Sequence, residues 1–226
     1  MTDRLTQARL NGNKLGRASL MAMTVLAIAS GIYSLRFIGI LDNVWLGVDQ
    51  GIRGVITAVP VPALTHMLIA PIALIVGPFQ FFARLRSQAP HIHRWIGRSY
   101  VAACVVAGLA ALATAPSASG GPIAGLGFGL LAAAWLATTI GAWRAAVRRN
   151  FVLHRLLMRF SYAMTFAAVT LRLQIPIGFA LGFASYSAMS VWLAYTSWIP
   201  NVIAVAIYSW LAPARYPSAP PVATEA

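Results

Sequence analysis

Few side chains in this 226-residue protein can do chemistry. The carboxylates are Asp3, Asp42, Asp49 and Glu225, and none lies inside an apolar stretch. A carboxylate proton relay, a di-iron site and a paired-carboxylate hydrolase therefore lack their residues. The one cysteine, Cys104, excludes an intrachain disulfide framework and a thiolate metal cluster. What remains is imidazole and guanidinium. There are four histidines, and Lys14 is the only lysine among 17 basic residues. Histidine pairs suit axial ligation of haem iron, and planar, permanently charged arginine suits anion recognition.

Two stretches match. His93-Arg94-x-x-x-Arg98 and His154-Arg155-x-x-x-Arg159 both read His-Arg-x-x-x-Arg, and Trp135-Leu-Ala-Thr-Thr139 is matched by Trp192-Leu-Ala-Tyr-Thr196. The offsets, 61 and 57 residues, are close. They predict two parallel two-helix repeats about an axis along the membrane normal. His93 and His154 would then lie at one depth as an opposed pair. Such a pair suits a bis-histidine haem b, with both histidines as iron ligands and Arg94, Arg98, Arg155 or Arg159 for the propionates. Gly97, one turn beyond His93, would leave room for a flat cofactor. His91 points about 200° away from His93 on a helix and reads as an interface residue.

Helix geometry also brings positions 18 apart into line, about 27 Å along the axis. His66 aligns with Arg84 and nearly with Gln80; His154 aligns with Arg172, with Ser161 and Thr165 close by. Two polar clusters follow. One gathers Gln80, Arg84, His93 and His154; the other gathers His66, Arg172 and Arg36. Arg36 can snorkel to the surface. The sequence supplies no acidic partner for Arg172, so a haem propionate, a quinone oxygen, a lipid phosphate or a backbone carbonyl must serve it. Asn201, beside Pro200, reads as helix-to-helix glue.

The elements that must hold these residues are membrane helices. The chain is 59% hydrophobic and 9% charged, against about 25% charged in soluble domains. That much apolar surface must face lipid. Six apolar segments are long enough to span: 19–40, 62–83, 90–115, 122–147, 151–183 and 187–211. The fold class is therefore all-α, a polytopic protein with six transmembrane helices and spans 3–4 and 5–6 as the repeat. Pro62 and Pro90 fit first helical turns, and Asn150 fits an N-cap. Pro176-Ile-Gly178 should kink or end the fifth segment, and Pro200 should kink the sixth. The glycines of Gly125-Leu-Gly127-Phe-Gly129 read as close helix packing rather than a phosphate loop. Residues 43–58 fit a short amphipathic helix on the outer surface.

Residues 1–18 read as a cytoplasmic basic tail, 19–211 as the membrane domain and 212–226 as a disordered Pro-rich cytoplasmic tail. Ala27-Ile-Ala29 resembles a signal cleavage site, but the apolar run continues past it, so the first helix reads as uncleaved. Fourteen of the 17 basic residues fall in alternate loops and tails. The positive-inside rule then places both termini in the cytoplasm. Topology thus accounts for the net charge of +13, and no nucleic-acid partner is expected.

The order of motifs resembles a family of bacterial predicted membrane proteins grouped as a domain of unknown function. It rests on His66, Gly77-Pro-Phe-Gln80-Phe, His93-Arg94-x-x-Gly97-Arg98-x-Tyr100, His154-Arg155-x-x-Met158 and Thr170-Leu-Arg172. Leu157 stands where that family often has Trp, and Arg159 sits one place before its usual Arg. The resemblance implies a multi-pass protein of the bacterial inner membrane. More distantly, the chain is similar to two-haem b-type cytochromes and transmembrane ferric reductases, which implies at most one haem here and a quinone or redox partner. Three functions stand open: a haem b or quinone-linked redox protein, a small-anion transporter or channel, and a membrane assembly factor without chemistry.

Overall fold

The structure, a computed structural model, describes residues 2–45 and 47–211, with side chains from residue 16 onward. The expected tail at 212–226 lies outside the described residues. Among those described there are ten α-helices and no strand. They are α1 (Thr2–Tyr33), α2 (Gln50–Ala58), α3 (Pro60–Val76), α4 (Ala83–Gln88), α5 (Pro90–Thr114), α6 (Gly121–Val147), α7 (Phe151–Thr165), α8 (Ala167–Ala180), α9 (Tyr186–Thr196) and α10 (Ile199–Leu211). Short 3-10 turns extend α1 (Ser34–Asp42), α3 (Gly77–Phe81) and α5 (Ala115–Ser117). Six stretches are long and apolar enough to cross a membrane: Gly16–Asp42, Pro60–Phe81, Pro90–Ser117, Gly121–Val147, Phe151–Ala180 and Tyr186–Leu211. The chain is an integral membrane protein with multiple spans. α1 starts at Thr2, so residues 2–18 of the segment expected as a tail are continuous with the first helix.

The termini of these helices follow from local chemistry. Pro60 and Pro90 open α3 and α5, where a missing N–H is harmless. Asn150 caps α7, its side chain accepting from Leu153 N at 3.1 Å. α8 ends in a Schellman arrangement. Gly182, at φ +93°, donates to Phe179 O, and Phe183 donates to Gly178 O. The break in the fifth span differs from expectation: it falls at Phe166, and Pro176 sits inside α8. The Thr165 hydroxyl donates to Ser161 O at 3.0 Å, and such back-bonding bends a helix. The sixth span does break at Ser197–Trp198, with Pro200 in the first turn of α10.

At Pro78 and Pro200 the carbonyl four residues back is taken by a side chain from another segment. Pro78 has no N–H for the carbonyl four residues back, and the Tyr162 hydroxyl donates to that Leu74 O at 3.2 Å. Gly77 makes this possible: a Cβ there would come within 2.5 Å of the Tyr162 ring. Pro200 likewise leaves Thr196 O free, and Gln174 Nε2 donates to it at 3.1 Å.

The packing is densest between α3 and α5 and between α6 and α7, with α5 and α6 joining the two pairs. A knot of hydroxyls ties α5, α6 and α7 at the centre. Tyr100, fully buried, has its hydroxyl 2.8 Å from both Ser161 Oγ and Thr165 Oγ1. Trp135 Nε1 donates to Thr165 Oγ1 at 2.9 Å, and Thr139 Oγ1 lies 2.7 Å from Ser161 Oγ. Cys104 is buried in the same core cluster. Gly127 lets α6 approach α9, since a Cβ there would meet Ala194 O at 3.0 Å.

The two Trp-Leu-Ala words lie at different distances from the starts of α6 and α9 and have unlike surroundings. Trp135 is 6% exposed, whereas Trp192 is 65% exposed.

Interhelical hydrogen bonds inside membranes are worth about 0.6 kcal/mol on average, and up to about 1.7. Tyr100→Phe removes a hydroxyl with two partners. It should lower unfolding stability in detergent by about 1–2 kcal/mol. Tyr208→Phe, at a position 56% exposed, should leave the unfolding curve unchanged.

Candidate functional site

The polar residues gather at two ends of the bundle. One end carries Arg84 and Arg86 of α4 and the Arg148-Arg149 turn before α7. Here His93 and His154 lie within electrostatic range of one another. His154 Nδ1 lies 2.9 Å from Ala142 O. A carbonyl only accepts, so Nδ1 carries the proton, and Nε2 of the neutral ring is left bare. His93 Nδ1 is buried without a hydrogen-bond partner. Gln80 Nε2 donates to His93 O at 3.3 Å.

Gln80 also fills the place beside Gly97. A Cβ on Gly97 would stand 3.1 Å from Gln80 Oε1. The gap left by the missing side chain is thus taken by an amide, and a flat cofactor there requires Gln80 to move. The arginines of this end are spread over its surface. Arg84 donates to Gln88 at 3.1 Å, and Arg98 stacks over Trp95 at 5.4 Å; both are exposed, as is Arg94. Arg155 is half-buried, and Arg159 lies over the Tyr208 ring at 5.3 Å. His91 accepts from Trp95 Nε1 at 3.0 Å, one turn along α5, so it faces away from His93.

The opposite end holds a cavity of about 720 Å³. His66, Arg36 and Arg172, expected as one cluster, all line it. His66 Nδ1 lies 3.0 Å from Ala107 O. By the same argument Nδ1 carries the proton, and the neutral ring offers Nε2 as an acceptor. Arg172 donates from Nη1 to Ala168 O at 2.8 Å and from Nη2 to Ser34 Oγ at 2.7 Å. Two of the five guanidinium N–H groups are thus taken by neutral oxygens. No carboxylate pairs with Arg172 among the described residues. Arg36 does not snorkel freely: Nη1 donates to Gly47 O at 3.1 Å and to the Tyr33 hydroxyl, and the guanidinium lies 4.1 Å from the Tyr33 ring.

Three contributors were not legible as site residues. Ser34 is 1% exposed and anchors Arg172 across 138 positions of sequence. Asp49 lines the cavity while capping α2, accepting from Gly51 N at 2.7 Å. Tyr186, at the start of α9, lines it too. The expected amphipathic segment supplies the roof. α2 packs on α3 and α9 and turns Ile52 and Val55 to the cavity. A core of Phe37, Ile40, Val48, Ile56 and Ala63 holds it down. The floor is Trp135 and Thr165, so the cavity reaches the central hydroxyl knot. Asn201 is glue as expected: its Nδ2 donates to Ala163 O at 3.2 Å and to Thr170 Oγ1 at 3.0 Å.

A hydrogen bond to a charged group contributes about 1.5–3 kcal/mol. Ser34→Ala should therefore lower unfolding stability by about that amount. Introduced beside Arg172→Gln, the same change should have a smaller effect, and a double-mutant cycle measures the difference.

The comparisons with known proteins agree with this architecture. The family described as Predicted membrane protein (DUF2306) matches residues 63–209. That match includes His66, the hydroxyl knot, both His-Arg pairs and Arg172. No curated protein and no solved structure matches the chain. The chain belongs to the DUF2306 family of predicted membrane proteins, whose function is unknown.

Proposed function

We propose that this protein binds an anion in the cavity at the Asp49 end, as a carrier-type membrane protein. The observation that carries this reading is Arg172. It lines a large cavity, its protein acceptors are a carbonyl and a hydroxyl, and no carboxylate pairs with it among the described residues. A cation in the membrane is expensive to leave uncompensated. An anionic ligand oxygen would offset the charge, and His66 would accept from a ligand hydroxyl. Breaks in the fifth and sixth spans near mid-membrane fit the carrier class, where discontinuous helices form the site.

The orientation belongs to the same proposal. The arginine-rich end faces the cytoplasm of a bacterial inner membrane, with both termini inside and the cavity on the outer side. A fluorescent protein fused after the last residue should then glow in cells. Alkaline phosphatase fused at the 117–120 turn should be active. The reverse pattern would overturn the orientation.

Binding is tested by thermal unfolding of the detergent-purified protein with inorganic phosphate, benzoate or oleate. At 100 times Kd a ligand stabilises by about 2.7 kcal/mol, which is a shift of several degrees. At least one of these anions should raise Tm, and Arg172→Gln should abolish the rise. No rise with any of them, or an undiminished rise in Arg172→Gln, would sink the reading.

A second reading is a redox protein with haem b at His93 and His154. In its favour, the Ala142 carbonyl holds the His154 ring in the way that second-shell acceptors orient ligating imidazoles. Against it, Gln80 fills the slot beside Gly97. The residues thus do not fit a macrocycle beside Gly97, and no redox step is drawn through it. A clean preparation from haem-supplemented cells should show a Soret band that both His93→Ala and His154→Ala remove. A colourless protein would end this reading.

A further inference from the structure

The ligand's source is written in the wall of the cavity. A second hollow, of about 400 Å³, is lined by Ile32, Tyr33, Arg36 and Gly47. The last three of these also line the large cavity. The two hollows thus meet beside the end of α1, where Arg36 bridges Tyr33 and Gly47 by donating to the Tyr33 hydroxyl and to Gly47 O, so a side opening here is latched by Arg36 and opens when those two bonds release. Its surroundings are apolar and face outward: Ile32 is 57% exposed, Leu35 54%, Ile38 47% and Leu41 62%. All four lie within the first span, Gly16–Asp42. Such a surface belongs in lipid, so the opening gives onto the bilayer rather than onto water.

The threshold carries a cation. The Arg36 guanidinium stacks over the Tyr33 ring and 5.0 Å from the Phe37 ring, and its Nε is buried without a hydrogen-bond partner. Behind it stands Arg172, with Ser34 between the two along the cavity wall. Deeper still, the walls become apolar, with Leu74, Leu131 and Met164. On top lie Ile52 and Val55 of α2, with Asp49, Ser119 and Tyr186 also in the lining. The apolar depth suits an acyl chain, which a small soluble anion does not carry.

We propose that the ligand is an anionic lipid of the leaflet at the Asp49 end, and that it loads sideways between Tyr33 and Gly47. Its headgroup passes Arg36 and settles on Arg172, and an acyl chain fills the apolar depth toward Trp135. This rests on the anion-binding reading and adds the ligand's chemical class and its route.

The test uses the full chain in nanodiscs with a trace of phosphatidylglycerol bearing a diazirine on one acyl chain. Crosslinks should map to cavity-lining residues of α3, α7 and α8. Unlabelled phosphatidylglycerol should compete, whereas phosphatidylcholine, a neutral isoprenoid quinone and inorganic phosphate should not. Ile32→Trp narrows the mouth and keeps both arginines. It should slow labelling at least five-fold and leave the final yield unchanged. Tyr33→Ala widens the mouth and should speed labelling, which guards against a fault peculiar to the first variant.

Equal labelling rates in Ile32→Trp, Tyr33→Ala and the parent would overturn the side route. Competition by the quinone but not by phosphatidylglycerol would overturn the anionic lipid. An Arg172-dependent rise in Tm with inorganic phosphate, together with no specific lipid crosslink, would overturn this inference and leave the anion-binding reading standing. Failure of both would remove both.

Discussion

In a hydrocarbon solvent no water repairs an unmade hydrogen bond, so a polar group inside the bundle that lacks a protein partner is costly. The knot around Tyr100 meets that constraint for three helices at once. The Thr165 hydroxyl donates to Ser161 O and can accept from both Trp135 Nε1 and Tyr100. Thr139 donates to Trp135 O at 2.7 Å, and the single hydrogen of the Ser161 hydroxyl goes either to Thr139 Oγ1 or to the Tyr100 oxygen. Every donor has a place, and the knot can be built only when α5, α6 and α7 stand in one register. The remaining elements are arranged around that register.

The same constraint bears on the helix interruptions at Pro78 and Pro200. Prolines free carbonyls, and free carbonyls in lipid cost several kcal/mol each. Tyr162 takes the carbonyl released by Pro78, and Gln174 takes the one released by Pro200. Each rescue crosses from one span to another, so each break also becomes a tie. The cavity lies at one end of the bundle, with Trp135 and Thr165 of the knot and Ile52 and Val55 of α2 in its lining.

Within that space Arg172 is held but not neutralised. Ala168 O and Ser34 Oγ fix its direction, and neither removes its charge. Asp49, which lines the same cavity, is occupied with the first turn of α2. At the arginine-rich end the cations instead spread over an exposed surface, and the space beside Gly97 is filled by Gln80. The two ends, similar in composition, therefore differ in what they can do: one has charge and room, the other has charge and little room.

Six spans, the helix starts at Pro90 and Asn150, and the clustering of His66, Arg36 and Arg172 all follow from residue type and helical period. Those are local properties: apolar length, a missing N–H and a rotation of 100° per residue. The period also aligned Ser161 and Thr165 on one face, which is the face the knot uses. Other features lay beyond it. Phe166, not Pro176, interrupts the fifth span, next to the Thr165 hydroxyl that bonds back to Ser161 O and joins the knot. Trp135 and Trp192 share a word yet differ in burial, because α6 is surrounded by helices and that face of α9 is not. Ser34 serves Arg172 across 138 residues, and α2 roofs a cavity it does not resemble. Sequence alone determined which residues would be polar, apolar or helical, since each of those depends on near neighbours. Only the tertiary structure decided where room was left beside the charges, because a void is made by the packing of distant segments and no single segment encodes it.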